Sequence, residues 1–200
     1  MTTARDLALI ALGLPPGQGV EQGDLSLALA GAEAIDLLES GAATLEGDRI
    51  VPDTQVVTGD RMLDQAVASL GRREPYETVE HWLWRRGREL AAAYADDLGQ
   101  DGLLAHPRRH GFHLRSGRTA PTDSPTRARA EERRASGEPV LAALMAAARI
   151  GDALPEACDS LTGESVTTVV AAVGDAVTQL EAVRLRRDIE DAAFDNMWRD

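Results

Sequence analysis

Three histidines crowd one short stretch, His106, His110 and His113, and a fourth, His81, stands alone. A metal site needs such nitrogens to converge from one side. The only cysteine, Cys158, is remote in the chain, and residues 103–118 have the pattern of a hairpin. Side chains alternate between the two faces of a strand, which sends His110 and His113 apart. No metal is expected. Carboxylates are plentiful, but Asp96-Asp97 and the pair Asp60 and Asp64 fall on helix surfaces or at helix starts. There an acid stabilises the helix dipole without doing chemistry. Ser40, Ser165 and Cys158 have no base at a recognisable spacing, and Gly17-Gln18-Gly19 lacks the strand–helix context of a phosphate loop. The pattern points to no enzyme and to no cofactor.

The side chains that remain are cations. All 21 basic residues are Arg, whose planar fork suits phosphate. With the high Ala and Gly content, the same bias fits a GC-rich bacterial genome. Net charge is −12, which argues against a nucleic-acid partner. Between residues 102 and 134, however, eight Arg face three acids, so that window carries +5 and the rest −17. A basic segment on an acidic body can face an anionic surface. Trp82 and Trp84, two apart on a helix, point roughly 200° from each other. Trp82 is expected to be core. Trp84, beside Arg85, Arg86 and Arg88, is placed to meet a membrane interface or an anionic ligand.

These residues need elements to position them. Thr2 or Thr3 caps a first helix with Leu7, Ile10, Ala11 and Leu14 at helical spacing, ended by Pro15-Pro16-Gly17. Asp24 caps a second helix over 25–39, with Leu25, Leu29, Ala32, Ile35 and Leu37 or Leu38 inward. Residues 43–45 and 49–51 flank Glu46-Gly47-Asp48 as a short hairpin. Thr58-Gly59-Asp60 opens a third helix to about Leu70, and a fourth runs over 78–98, closed by Gly102. A second hairpin over 103–118 and a linker over 119–125 follow. Helices over 124–135, 140–150 and 165–194 complete the chain. The last carries Val166, Val169, Val170, Val173, Val177, Leu180 and Val183 on one side, and a charged end in solvent. The expected class is mainly α: a single compact helical domain spanning 1–200, with short β-hairpins inserted between helices.

At 44% hydrophobic the chain can bury a sizeable core, and with aromatics at 4% that core is Leu, Ala and Val. No run reaches 18 apolar residues, so no spanning helix is expected. The N-terminus reads as an amphipathic helix rather than a signal peptide. A lone cysteine fits a reducing cytoplasm.

The block Thr58-Gly59-Asp60, with Met62-Leu63 and Asp64 after it, followed by Pro75-Tyr76-Glu77-Thr78-Val79 and Trp82, resembles the Golgi-phosphoprotein-3-like family. Ile35-Asp36-Leu37 with Gly41, and the stretch 98–104, add to the likeness, which is clearest over residues 7–154. It implies a mostly helical, non-enzymatic adaptor that sits peripherally on membranes. In that family a Trp and an Arg near the second helix, and two Arg on the helix before the later hairpin, hold the 4-phosphate of a phosphatidylinositol. The apolar tip of that hairpin enters the bilayer and can mediate oligomerisation. Carried over by position, the Trp falls near Glu21, one Arg on Ala30, and the helix-four pair on Arg88 and Ala91, with Arg85 one turn earlier as a stand-in.

The resemblance implies a phosphate contact from Arg88, with Arg85 as the stand-in. The basic hairpin adds Arg108 and Arg109 as expected phosphate contacts. Trp84, Phe112 and Leu114 are the expected membrane contacts, the alternative being that Phe112 and Leu114 pack the hairpin onto the core. The expected partner is an anionic membrane lipid, phosphatidylinositol 4-phosphate among the candidates, on the inner face of the membrane. With Glu21, Ala30 and Ala91 at the family's Trp and Arg positions, a second reading is a cytoplasmic scaffold or homo-oligomer that keeps the fold without the lipid site. A winged-helix DNA-binding reading of the first hairpin fails because residues 25–39 carry no cation to meet a duplex.

Overall fold

The computed structural model describes residues 2–15, 20–53, 57–104, 124–151, 157–158, 161 and 163–197, with side chains as far as 191. Among these, eight helices and one two-stranded antiparallel sheet alternate in the order α1 (Thr3–Gly13), α2 (Gln22–Glu39), β1 (Ala43–Glu46), β2 (Arg49–Pro52), α3 (Arg61–Ser69), α4 (Val79–Arg86), α5 (Leu90–Gln100), α6 (Pro125–Ala135), α7 (Pro139–Ala147) and α8 (Glu164–Met197). The mainly helical class expected from the sequence holds. The second hairpin, over 103–118, lies outside the described residues beyond Leu104.

Helix α2 is the axis of the fold. Every residue from Leu25 to Leu37 is buried, because α1, α3, α4, α5, α7, α8 and β1 all pack around it. A helix that is apolar on all sides belongs at the centre of a protein, and Leu, Ala and Ile dominate this one. Gly31 is what lets α8 come close: a Cβ there would sit 2.3 Å from Cγ2 of Val173.

Two start signals read from the sequence operate as expected. Thr2 Oγ1 accepts from Arg5 N at 3.3 Å to open α1, and Asp60 caps α3. Helix α2 corrects the expectation. It begins at Gln22, with Glu21 at the cap position and no side-chain cap bond. Asp24 sits in the first turn, where it holds Arg184 of α8 at 2.9 and 3.1 Å.

The expected fourth helix is two helices. Gly87, Arg88 and Glu89 interrupt it, and Glu89 takes a left-handed φ of 56°. The cause is α2. A Cβ on Gly87 would lie 2.5 Å from the Leu83 carbonyl oxygen and 3.3 Å from that of Ser26. Ser26 Oγ also accepts the Ala91 amide at 3.1 Å and so satisfies the start of α5. The apolar positions read for this region, Val79, Leu83, Leu90, Tyr94 and Leu98, are all buried.

The hairpin pairs Ala43 with Pro52 and Glu46 with Arg49, and Gly47 supplies the positive φ of 62° its turn requires. Ile50 N donates to Glu77 O at 2.9 Å and Val79 N to Asp48 O at 2.8 Å, which ties the sheet to the start of α4.

Helix α7 ends at Ala147 rather than Ile150, with Arg149 at φ 54°. By length and composition alone, Glu164–Asp191 of α8 is apolar enough to cross a membrane. Here Val169, Val170, Val173, Ala176 and Val177 are buried against the rest of the protein. Val183, expected inward, is 43% exposed.

Candidate functional site

The Thr58–Asp64 block is a capping device. Gly59 takes φ 75°, which lets the chain turn so that Thr58 donates twice to Asp64 Oδ1, from N at 3.0 Å and Oγ1 at 2.7 Å. These bonds hold the Asp64 carboxyl below the usual carboxylate range. Asp60 Oδ1 accepts the amides of Met62 at 2.9 Å and Leu63 at 3.0 Å. The same turn aims Arg61 at α5. Its Nε donates to Asp97 Oδ1 at 2.8 Å, Nη2 bonds the same oxygen, and Nη1 reaches Gln100 at 3.0 Å. Arg5 of α1 completes the web, with Asp97 at 3.1 Å and Asp101 also in contact.

Asp97 was expected on a helix surface. It is buried at 4% exposure and fully paired, whereas its neighbour Asp96 is exposed. The two fall on different sides of α5 because adjacent helical residues point about 100° apart.

The Pro75–Trp82 block clamps rather than catalyses. Glu77 takes Arg85 in a two-pronged grip, Nε and Nη2 each at 2.7 Å. It also receives His81 Nδ1 at 2.8 Å. Arg85 Nη2 donates further to Ser69 O at 3.1 Å, and the guanidinium lies 5.3 Å from the centroid of the Trp82 ring. Trp82 is fully buried and donates Nε1–H to the Ala30 carbonyl at 2.9 Å. It is the core residue expected.

Two lipid-site positions inferred from the resemblance lie at the α4–α5 joint. Arg88 is exposed, and among the described residues it has no hydrogen-bond or ion-pair partner. Arg85 is half-buried and its Nε and Nη2 are engaged as above. Trp84 is partly buried and packs against the core. Ala30 and Ala91 are buried, at 0% and 3% exposure, so neither presents anything to a ligand. Glu21 is exposed at the start of α2. Arg108, Arg109, Phe112 and Leu114 lie outside the described residues.

A set of buried acids went unread in the sequence. Glu33 is 0% exposed; Arg86 grips it at 2.7 and 2.9 Å, and Tyr94 OH donates at 3.1 Å. Burial pushes its carboxyl up against the opposing pull of Arg86. Asp36 accepts Thr3 N at 2.8 Å and Ala4 N at 2.9 Å, so α2 supplies a second cap for α1. Burial raises Asp36 to about 6. Asp6, fully buried, takes Arg133 Nη1 at 2.5 Å, and burial raises it too. The available signal was an acid inside an apolar run, as in Ile35-Asp36-Leu37.

Asp6 and Asp36, but not Glu33, border an open cleft of about 640 Å³ between α1, α2 and α6, lined also by Glu39 and Glu132 against Arg129 and Arg133. Four acids to two Arg do not suit a phosphate, and the cleft includes neither Arg85 nor Arg88. No group of three His, Cys, Asp or Glu among the described residues is arranged to hold a metal.

The family model described as Golgi phosphoprotein 3 (GPP34) matches residues 4–191. No curated protein matches the chain.

Proposed function

The chain belongs to the Golgi phosphoprotein 3 family, and from that premise we propose that it is a non-enzymatic module that docks reversibly on anionic membrane surfaces. The observation that carries this reading is the charge split: a +5 window over 102–134 on a chain of net −12. Each Arg near an anionic surface contributes about 1 kcal/mol. Arg108 and Arg109 would meet lipid phosphates, Phe112 and Leu114 would enter the interface, and the free guanidinium of Arg88 would add a contact. Trp84 would lie at the headgroup level.

Selection of one headgroup would be loose. Glu21 repels phosphate, Ala30 and Ala91 contribute no charge, and the Glu77 grip competes for Arg85. A single Arg–phosphate contact contributes only a few kcal/mol, too little to single out phosphatidylinositol 4-phosphate.

The test is co-sedimentation with neutral vesicles, vesicles containing phosphatidylglycerol or cardiolipin, and vesicles doped with phosphatidylinositol 4-phosphate, at low and moderate salt. The reading expects binding to every anionic vesicle, fading with salt, and loss of it in R108E/R109E. Binding confined to the phosphoinositide would mean a specific pocket instead. The second reading, a scaffold without lipid binding, is favoured by the residues at 21, 30 and 91; absence of binding to any vesicle would establish it over the first.

A further inference from the structure

Helix α8 outruns the body it packs on. Among the described residues its last anchor is Arg184, held by Asp24 at 2.9 and 3.1 Å. From residue 185 to 191 every residue is exposed, while the backbone stays helical to Met197. Two large apolar residues stand on this overhang, Leu185 at 56% exposure and Ile189 at 69%. Four apart, they stack on one side of the helix. At 100° per residue that side is turned roughly 120–160° from the buried Val173. The pair therefore faces away from the protein's own core, and their exposure is a property of the helix's direction rather than of a loose end.

We propose that this face pairs in parallel with the same face of a second copy of the chain. Ala182, Leu185 and Ile189 fall on successive a, d and a positions of a heptad. Ile at a with Leu at d favours two parallel strands. The flanking charges choose the same orientation. In a parallel pair, a g residue meets the e residue five positions on in the other strand. That sets Glu181 against Arg186 of the second copy, on both sides of the seam. In an antiparallel pair g meets g and e meets e, so Asp188 would oppose Asp188 and Arg186 would oppose Arg186. Arg184 points to Asp24 and takes no part. Glu181 also bonds Arg149 at 2.5 Å, with both side chains largely exposed, so the contact can be exchanged. The described seam, Ala182 to Ile189, is just over one heptad, so the dimer is weak and concentration-dependent. It is independent of the membrane reading: a chain that binds no vesicle can still pair this way.

The test is sedimentation of the full chain over a wide concentration range. Wild type is expected to dimerise. L185E/I189E, which alters only exposed positions, should raise the dissociation constant by about tenfold or more, with an unchanged circular dichroism spectrum and, at concentrations where wild type is monomeric, an unchanged melting temperature. E181R and R186E should each weaken the dimer, and E181R/R186E together should restore it. In a C158A background, Leu185→Cys should form a disulfide-linked dimer under mild oxidation, because d residues of a parallel pair are within disulfide reach and those of the antiparallel pair are not. A chain monomeric at every concentration overturns the proposal. So does a dimer indifferent to L185E/I189E, or one that L185C leaves uncrosslinked. If L185E/I189E abolishes vesicle binding by a wild type that stays monomeric, the face belongs to the membrane and the proposal is likewise overturned.

Discussion

Glu33 and Arg86 form a two-pronged ion pair, Nε to Oε2 at 2.7 Å and Nη2 to Oε1 at 2.9 Å, with the carboxylate wholly buried. The pair fastens the central helix α2 to α4. Removing one member strands a buried charge, at a cost of about 3–5 kcal/mol. Arg86→Met should lower stability to urea by that order. Replacing the whole buried set, as E33L/R86M with Tyr94→Phe to remove the hydroxyl that Glu33 also accepts, should recover most of the loss, because well-packed apolar groups substitute for a buried pair at little cost. A combined variant as unstable as the single would contradict this account.

Gly31 lets α2 and α8 touch. In Gly31→Ala the new Cβ lies 2.3 Å from Val173 Cγ2. Alanine favours helix over glycine by about 1 kcal/mol. Overpacking typically costs about 1–3 kcal/mol, and the stiff valine cannot turn aside cheaply. The overlap should win, with a net loss of up to about 2 kcal/mol. Adding V173A should restore stability; if it does not, the close approach is not the cause.

Asp36 makes stability depend on pH. Burial raises its folded-state pKa from 3.8 to about 6. The folded state therefore holds this proton more tightly than the unfolded state does. Asp36's contribution is fully present below pH 3.8, is lost as pH rises to about 6, and is constant above that. Urea titrations of wild type and Asp36→Asn should diverge across this window. Wild type should lose on the order of 3 kcal/mol relative to the variant as pH rises. Parallel profiles would show that Asp36 titrates normally.

Arg85 and Arg88 are one helical turn apart in sequence but differ in what holds them. Arg88→Glu should weaken binding to anionic vesicles by roughly thirtyfold, from about 1 kcal/mol lost and a similar repulsion gained, with no change in melting temperature. Arg85→Glu should lower the melting temperature, because it breaks the Glu77 grip and faces that carboxylate with another. Equal melting temperatures would place Arg85 at the surface rather than in the clamp.

Much of this architecture is legible in the chain's own periodicities. The apolar spacing of 7, 10 and 11, the Asp60 cap, the Gly47 turn and the valine stripe of α8 are local signals, and each became the element it announced. The Thr58–Asp64 and Pro75–Trp82 blocks carried the family. The break at Gly87 was not legible, since Gly87, Arg88 and Glu89 continue a helical pattern. The start of α5 is satisfied by Ser26, 65 residues before Ala91, a partner no local spacing announces. Nor could spacing reveal that Asp24 would pair with Arg184 instead of capping α2, because their separation is 160 residues.

The sequence by itself determined the helical class, the hairpin, the family and the basic window, because propensity, capping and hydropathy act within a few residues of one another. The tertiary structure decided which charges are free. Arg85 is gripped by Glu77, Arg86 by Glu33 and Arg133 by Asp6, while Arg88 is left open to solvent. An Arg looks the same in any sequence. Its availability depends on which carboxylate the packing of other helices brings within about 3 Å of it, and that is settled only when the chain has folded.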